Sequence, residues 1–210
     1  MDSAQHSTAA SVFDALGVEY ERAFAGSAAH HASLELLLER LTPGSRVLDV
    51  GSGTGRPAAQ TLAEAGHEVL GVDVSPVMVD IASRQVPRAE FRCADVRDLP
   101  LEDESFDAVC VYFSLLQLSR AEQTDVLDLT ARVLRPGGHL AVATVPLDVE
   151  GVSGTFMDQP VQVTSFGEEA FTALVAAAGF TVLERESILF TPDHPAAVPE
   201  PHLFLLARRT

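Results

Sequence analysis

RVLDVGSGTG, residues 46–55, joins a short apolar run to a glycine-rich turn, and a helical pattern follows it over residues 56–65. A strand, a glycine turn and a helix in this order form the nucleotide-binding unit of α/β proteins. Further apolar runs alternate with helical patterns along the chain; the runs are residues 67–73, 89–94, 106–112 and 139–145, and the helical patterns are residues 75–85 and 120–134. This alternation predicts a parallel sheet covered by helices on both faces.

The two ends of the chain extend this pattern. Helices are predicted over residues 8–24 and 28–41, before the first strand, and over residues 167–178 near the end. Residues 146–165 show no regular periodicity and are predicted to be an irregular loop. The last two strands, residues 180–190 and 202–209, flank a proline-rich loop without a helix, which favours an antiparallel pair.

Composition restricts the function classes. The 210 residues fit a single domain, and 47% of them are apolar. The formal net charge of −16, without a Lys/Arg cluster, disfavours binding to DNA, RNA or an anionic membrane. The N-terminus lacks a signal-peptide pattern, no run is long enough to span a membrane, and the seven histidines lack metal-site spacing. We therefore expect a cytoplasmic enzyme without a metal, with Cys93 and Cys110 reduced and buried.

The glycine turn differs from a dinucleotide-binding fingerprint. The third glycine of GxGxxG falls on Arg56, and the third glycine here is Gly55. In addition, Asp49 precedes the turn by two residues, where a carboxylate would repel a pyrophosphate. A carboxylate at this place suits a ligand with a cation, such as an amino-acid ammonium group.

Three carboxylates follow the ends of three consecutive predicted strands. Asp73 can accept hydrogen bonds from a ribose diol, and Asp95 can accept from an adenine amino group while the backbone of Val96 donates. Val74 and Met78 are apolar and can enclose a purine ring. Each carboxylate also has a structural alternative, with Asp49 as a turn anchor and the other two as helix caps.

These motifs together resemble those of the class I S-adenosylmethionine (SAM)-dependent methyltransferases, of the small-molecule, secondary-metabolism-like subgroup. The stretches that carry the resemblance are VLDVGSGTG (47–55), GVDVSPVMV (71–79), CADVRDLPLEDESFDAV (93–109) and VLRPGGHLAVAT (133–144). The resemblance implies a Rossmann-like fold with seven strands in the order 3-2-1-4-5-7-6, strand 7 antiparallel. It also implies SAM as cofactor and S-adenosylhomocysteine as product.

By the same resemblance, the cofactor site contains the acidic residues and the turn. Asp49, Gly51, Ser52, Gly53 and Gly55 hold the methionine part. Asp73 binds the ribose, and Asp95 binds the adenine together with Val74, Met78 and Val96. Tyr20, Phe113 and Gln117 complete the predicted cofactor-binding set.

The acceptor side is less constrained by sequence. We divide the chain into an N-terminal helical lid (1–41), a SAM-binding half (42–145) and a substrate-side half (146–210). Candidate catalytic residues are Tyr20, His30 and His31, none of which we assign as a base. The segment YFSLLQ, residues 112–117, lacks the proline pair typical of nucleic-acid and protein amine methyltransferases; Ser114 and Gln117 are hydrogen-bonding candidates there, and Phe156 and Met157 are candidate apolar lining.

The predicted function is methyl transfer to an O, N, S or C nucleophile of a small molecule, by a monomer or homodimer. One alternative is a protein of this fold that binds SAM but acts as a cyclase or a non-methylating module. A second, disfavoured by Arg56 and Asp49, is a nicotinamide-dependent reductase. A protein or RNA methyltransferase is disfavoured by the acidic charge.

Overall fold

A computed structural model describes residues 3–210, with side chains from Ala9 onward, so the first two residues of the predicted lid lie outside the described part. The helices are α1 (Ser3–Leu16), α2 (Val18–Phe24), α3 (Ala28–Leu38), α4 (Ala58–Glu64), α5 (Pro76–Gln85), α6 (Arg120–Val133) and α7 (Glu168–Ala177). The strands are β1 (Arg46–Val50), β2 (Glu68–Asp73), β3 (Glu90–Cys93), β4 (Phe106–Tyr112), β5 (Leu134–Thr144), β6 (Val149–Phe156), β7 (Gln159–Ser165), β8 (Phe180–Phe190) and β9 (Glu200–Arg209). Among the described residues, none of the helices has the length and apolar character to cross a membrane.

Seven of the strands form one sheet in the order β3-β2-β1-β4-β5-β9-β8. β9 runs antiparallel to both of its neighbours, whereas the other pairs are parallel. Counted without the separate pair β6–β7, this is the order 3-2-1-4-5-7-6, and the predicted fold is confirmed. The chain order reverses between β1 and β4, and ligands of such sheets bind at the carboxyl ends of the strands beside that reversal.

Helices cover both faces of the sheet. On one face Leu48 belongs to a buried cluster with Leu127 of α6 and Phe171 of α7. On the other face Val47 packs in a cluster with Leu62 of α4. Successive strand residues point to opposite faces, so a strand buried on both sides is a continuous apolar run, which is why the sequence predicts these strands well.

The N-terminal helices differ from the prediction. The predicted helix over residues 8–24 is two helices, α1 and α2, because Gly17 lies between them with a φ of 48°. A positive φ ends a right-handed helix, and glycine adopts it without a steric penalty. The predicted helix over 28–41 ends at Leu38. The break lets α2 turn toward the sheet, and this turn brings Tyr20 and Phe24 over the carboxyl ends of the strands.

The prediction of an irregular segment over residues 146–165 is wrong. These residues form an antiparallel hairpin, β6–β7, joined at Met157 and Asp158, whose φ values are 47° and 64°. Positive φ at both turn positions usually requires Asn-Gly or a similar pair, so the sequence carries no turn signal. Most of β6 is exposed, which removes the apolar alternation as well. The hairpin packs on α1 through Val161 and Val12.

Two smaller expectations are also corrected. β5 begins at Leu134 rather than at His139, because Leu134 pairs with Phe106 and a shift in register follows that pair. Pro136-Gly137-Gly138 therefore lies inside β5. Cys93 is exposed at the end of β3, which is an edge strand, whereas Cys110 is buried as predicted; both thiols are free.

Candidate functional site

A cavity of about 230 Å³, here called the main cavity, lies at the carboxyl ends of β1, β2 and β4. Helices α1 and α2 and the hairpin β6–β7 contribute to its walls. Most predicted cofactor-binding residues line it, namely Tyr20, Gly51, Gly53, Asp73, Val74, Met78, Asp95, Val96, Phe113 and Gln117.

A second cavity, the side cavity, has a volume of about 200 Å³ and shares Tyr20, Gly51 and Phe113 with the first. Asp49, Ser52, His30 and His31 line the side cavity and not the main one. The predicted site is thus brought together in two adjoining spaces. Gly55 is the exception, since it lines neither.

The glycine turn brings the backbone close to other chain segments. Gly51 has a φ of 70°, and a Cβ atom on it would lie 2.2 Å from the Cβ of Ser114. Ser114 donates a hydrogen bond of 2.8 Å to the carbonyl of Val50, which fixes this approach. Around Gly53 there is open space, whereas a Cβ on Gly55 would touch Val86. Gly51 and Gly53 line both cavities, whereas Gly55 packs against β3 and the end of α5.

Asp49 is a buried carboxylate without a full set of partners. Its side chain ends beside the turn, and its Oδ2 has no hydrogen-bond partner. Burial, and to a smaller extent the charge of Asp73, raises the pKa of Asp49 from 3.8 to about 7. An unpaired buried charge is unfavourable, so this position favours a cationic ligand that restores the ionised form.

Asp73 connects the turn to the next helix. Its Oδ2 accepts a hydrogen bond of 2.8 Å from the backbone N–H of Gly53, and its Oδ1 accepts one of 2.9 Å from Ser75. Burial raises its pKa, while these hydrogen bonds act in the opposite direction. The structural alternative of a backbone anchor is therefore present. Each carboxylate oxygen can accept more than one bond, so Asp73 retains capacity for a ligand in the main cavity.

Asp95 is held by a cation that the sequence analysis did not single out. It caps the short 3₁₀ helix Val96–Asp98 by accepting from the N–H of Arg97, and the Arg97 guanidinium binds both of its oxygens at 2.8 and 3.0 Å. Arg97 also donates to Glu122 at 2.9 Å. Burial alone would raise the pKa of Glu122, but hydrogen bonds from Arg97 and Ser119 lower it to about 2. The cap expected as an alternative for Asp95 is thus present.

Tyr20 lies where the lid meets the hairpin. Its ring packs edge-on against Phe13 at 5.5 Å, and lies 4.9 Å from Phe24 and 6.2 Å from Phe156. Burial, then the charges of Glu200 and Asp73, raises the pKa of Tyr20 well above its usual value. The hydroxyl therefore stays protonated and can donate a hydrogen bond, but it is not a proton acceptor at neutral pH.

The two histidine candidates face the side cavity instead of the main one. The His30 ring lies 4.2 Å from that of Tyr112, and its buried Nε2 has no partner. Burial, followed by the charges of His31 and His202, lowers the pKa of His30 to about 3. His31 is exposed at the rim. Neither imidazole lines the main cavity.

Two functional candidates, Glu200 and His202, emerge only from the structure, which also shows an unusual backbone conformation at the predicted residue Phe113. Phe113 has a φ of 56°, unusual for a bulky residue, and its ring lines both cavities. Glu200 lines the main cavity and His202 the side cavity, both from β9. No local motif marks these two, since they follow a proline-rich loop far from the glycine turn in sequence.

Comparison with known proteins identifies the family. A family model described as a methyltransferase domain matches residues 47–138. Demethylmenaquinone methyltransferase of Clavibacter sepedonicus is 40% identical over 173 residues, which cover 69% of this chain and 69% of that protein. The chain belongs to the class I SAM-dependent methyltransferases. Methyltransferase GfsG of Streptomyces halstedii is also similar to this chain, with 35% identity over 186 residues that cover 79% of the chain and 64% of GfsG.

The solved structures show the same fold. The 1,6-didemethyltoxoflavin-N1-methyltransferase of Burkholderia thailandensis, crystallised with 1,6-didemethyltoxoflavin and S-adenosylhomocysteine, superposes with a TM-score of 0.74 at 24% identity. The match covers 97% of this protein and 88% of the Burkholderia chain. The sequence matches span between 41% and 69% of the length of the curated relatives.

The two cavities fit SAM, the cofactor of this family. The unpaired oxygen of Asp49 suits the ammonium group of the methionine part. Gly53 leaves the main chain open to the ligand, because nothing lies within 4 Å of the position that a Cβ atom would take there. Asp73 suits the ribose, and Val74 and Met78 suit the faces of the adenine ring.

Proposed function

We propose that this protein transfers a methyl group from SAM to a small, largely apolar molecule. The observation that carries the proposal is the unpaired, buried Asp49 carboxylate beside a glycine turn and within electrostatic range of Asp73. When bound, SAM supplies a sulfonium-activated methyl group. The protein's task is to hold the acceptor in line with that group and to exclude water.

Most of the predicted site residues have a proposed contribution. Asp49, with Gly51, Ser52 and Gly53, binds the amino-acid part of SAM. Gly55 supports the turn by packing against β3 and the end of α5. Asp73 binds the ribose diol. Asp95 and Val96 bind the adenine edge, and Arg97 keeps the Asp95 carboxylate oriented. Tyr20, Phe113 and Gln117 border the space between cofactor and acceptor.

The acceptor side of the main cavity is built mainly from aromatic and aliphatic side chains. Phe13 and Phe24 come from the lid, and Phe156, Val161 and Val163 come from the hairpin. Such walls favour an apolar molecule by removing its surface from water. We therefore propose that residues 1–41 form a lid and that residues 146–210 contribute the acceptor half, with 42–145 as the cofactor half.

Several polar contacts attach the lid to the cofactor half, among them the hydrogen bond of 3.1 Å from Gln85 to Glu21 and that of 3.0 Å between the hydroxyls of Ser33 and Tyr112. The Ser75 hydroxyl donates a hydrogen bond of 2.5 Å to Asp14 of α1, and Ser75 also caps α5 beside Asp73. This contact supports a lid whose position responds to the cofactor site.

The net charge of −16 supports a small molecule rather than a nucleic acid as acceptor. We further propose a monomer or homodimer that acts in the cytoplasm, where the exposed Cys93 thiol stays reduced.

Two measurements test the proposal. Calorimetric titration should show SAM and S-adenosylhomocysteine binding with one site per chain, and no binding of NADH or NADPH. Mass spectrometry should then detect S-adenosylhomocysteine and a product heavier by one methylene when SAM is incubated with a panel of apolar phenols, enols and amines.

The outcomes separate the alternatives. Absence of SAM binding contradicts the proposal altogether. SAM binding with a transformed acceptor that has gained no methyl group, and without S-adenosylhomocysteine release, supports a cyclase instead.

A further inference from the structure

A carboxylate and an imidazole form a pair beside the acceptor side of the main cavity. Glu200 and His202 lie two residues apart on β9, so their side chains point to the same face. Nε2 of His202 lies 2.8 Å from Oε1 of Glu200. Glu200 lines the main cavity, whereas the imidazole lies behind it and lines the side cavity.

The imidazole is enclosed by aromatic rings. Its side chain is 0% exposed, and its ring lies 4.5 Å from Phe113, 5.2 Å from Phe190 and 6.3 Å from Phe24. Nδ1 is buried without a hydrogen-bond partner. A proton on Nδ1 would therefore be unsatisfied, and the tautomer with the proton on Nε2 is favoured, so that His202 donates to Glu200.

Glu200 brings a negative charge to a largely apolar space. Phe13, Phe24 and Phe156 are among the aromatic side chains of the same cavity. Tyr20, which also lines it, is a protonated donor and cannot take a proton. Within the described part of the chain, Glu200 is the one carboxylate of this cavity that lies outside the strand ends assigned to the cofactor.

We propose that Glu200, held in position by His202, accepts the proton of a hydroxyl group on an apolar acceptor. This inference rests on the proposed function and names its substrate class: an aromatic or polycyclic molecule with a phenolic or enolic hydroxyl. The acceptor oxygen forms the new O–CH₃ bond, the S–CH₃ bond breaks with its electron pair remaining on sulfur, and the hydroxyl proton moves to the Glu200 carboxylate and then to water.

Charge favours a hydroxyl over an amine. The methyl donor is a cation, so an ammonium acceptor would be repelled, and a protonated amine has no electron pair for attack. An oxygen that loses its proton gains negative charge and is attracted to the sulfonium. Glu200 is placed to stabilise the hydroxyl before transfer through a charge-assisted hydrogen bond.

The first experiment measures binding, with the protein saturated by S-adenosylhomocysteine. The ligands are 2-naphthol and 2-methoxynaphthalene, which share the apolar rings but differ in the hydrogen that Glu200 would accept. We expect wild-type protein to prefer 2-naphthol about tenfold, and Glu200→Leu to bind both ligands equally. Glu186→Leu is the matched control, because Glu186 is exposed on β8, and it should retain the full preference.

The ratio of the two affinities separates recognition from damage to the fold, since a distorted cavity weakens both ligands together. Equal affinities in the wild-type protein, or no measurable binding of either ligand, overturn the inference. S-adenosylhomocysteine affinity is measured separately: its absence contradicts the proposed function, whereas its presence with equal naphthalene affinities contradicts only the assignment of Glu200.

His202 is tested as a positioning residue. His202→Phe fits the aromatic surroundings but removes the donor, and we expect it to reduce the preference for 2-naphthol to about threefold. His202→Gln keeps an N–H donor and should retain more of the preference. If the wild-type protein and both variants prefer 2-naphthol equally, His202 does not position Glu200. If both variants lose the preference to the same extent, the loss comes from altered packing, and the positioning assignment is again refuted.

Discussion

The pH dependence of SAM binding depends most directly on Asp49. In the ligand-free protein burial raises its pKa to about 7, whereas a bound ammonium group requires the ionised carboxylate. Below about pH 7, binding must therefore remove a proton from Asp49. We expect SAM affinity to rise about tenfold per pH unit as the pH approaches 7 from below, and then to level off.

The same pKa fixes the number of protons released. At pH 6, one unit below that pKa, about nine tenths of the Asp49 side chains are protonated in the free protein. Binding at pH 6, where the ammonium group of SAM is already protonated, should then release about 0.9 proton per SAM. Isothermal titration calorimetry in two buffers with different ionisation enthalpies measures this number directly.

Asp49→Asn removes the titrating group while keeping the shape. We expect SAM affinity at pH 7.5 to fall between about 10- and 100-fold, as for loss of a charge-assisted hydrogen bond, and proton release at pH 6 to disappear. Asp125→Asn, an exposed change on α6, is the control and should behave like wild type. If the Asp49→Asn variant retained both the pH slope and the proton release of the wild-type protein, the assignment of Asp49 would be refuted.

Whereas SAM affinity should rise with pH, the stability of the ligand-free protein should fall with pH. A carboxyl group whose pKa is raised from 3.8 to about 7 destabilises the folded state increasingly as pH rises from about 4 to 7. Above pH 7 this loss of stability is complete. This rise corresponds to about 4 kcal/mol. Asparagine leaves a buried amide, so we expect Asp49→Asn to stabilise the free protein at pH 8 by about 2 kcal/mol, measured by urea unfolding.

Two further substitutions test the structural basis of the site. Gly51→Ala should destabilise the protein more than the control Gly44→Ala, because both glycines have positive φ but only at Gly51 would the new Cβ meet Ser114. Measured by urea unfolding, we expect the control to lose about 1 kcal/mol of stability and Gly51→Ala to lose at least about 2 kcal/mol more. Equal losses of stability would refute the close approach of Gly51 to Ser114. Arg97→Met removes the cation beside the Glu122 carboxylate, which keeps its hydrogen bonds from Ser119, and should lower stability at pH 7 by about 3 kcal/mol. Since Arg97 helps to hold the pKa of Glu122 at about 2, part of the wild-type stability is lost as pH falls from about 4.5 to 2. The Arg97→Met variant should lose less stability over that pH range. An acid-unfolding profile equal to that of the wild-type protein would contradict the role of Arg97.

Much of the fold follows from the sequence because the central strands are buried on both faces. Val47 and Leu48 belong to different core clusters, and such a strand is readable as an uninterrupted apolar run. The hairpin β6–β7 is not readable in this way, since β6 is exposed and its turn at Met157 and Asp158 lacks glycine. Its stability comes from packing on α1, a contact between segments distant in sequence.

The candidate site likewise has one part that the sequence predicts and another that it does not. Asp49, Gly51 and Asp73 lie within one strand-turn-helix-strand segment, so their proximity follows from local order. Their functions remain predictions, as do those of the other cofactor-binding candidates. Glu200 and His202 reach the cavities only through the antiparallel placement of β9 beside β5, and a sequence pattern cannot show which side chains that placement brings together.

A crystal structure of the protein with bound S-adenosylhomocysteine tests the central claim most directly. We predict the ligand's ammonium group within hydrogen-bonding distance of Asp49 Oδ2, its ribose hydroxyls on Asp73, and its adenine between Val74 and Met78. A ligand bound elsewhere, or an ammonium group that leaves Asp49 Oδ2 without a partner, would contradict it.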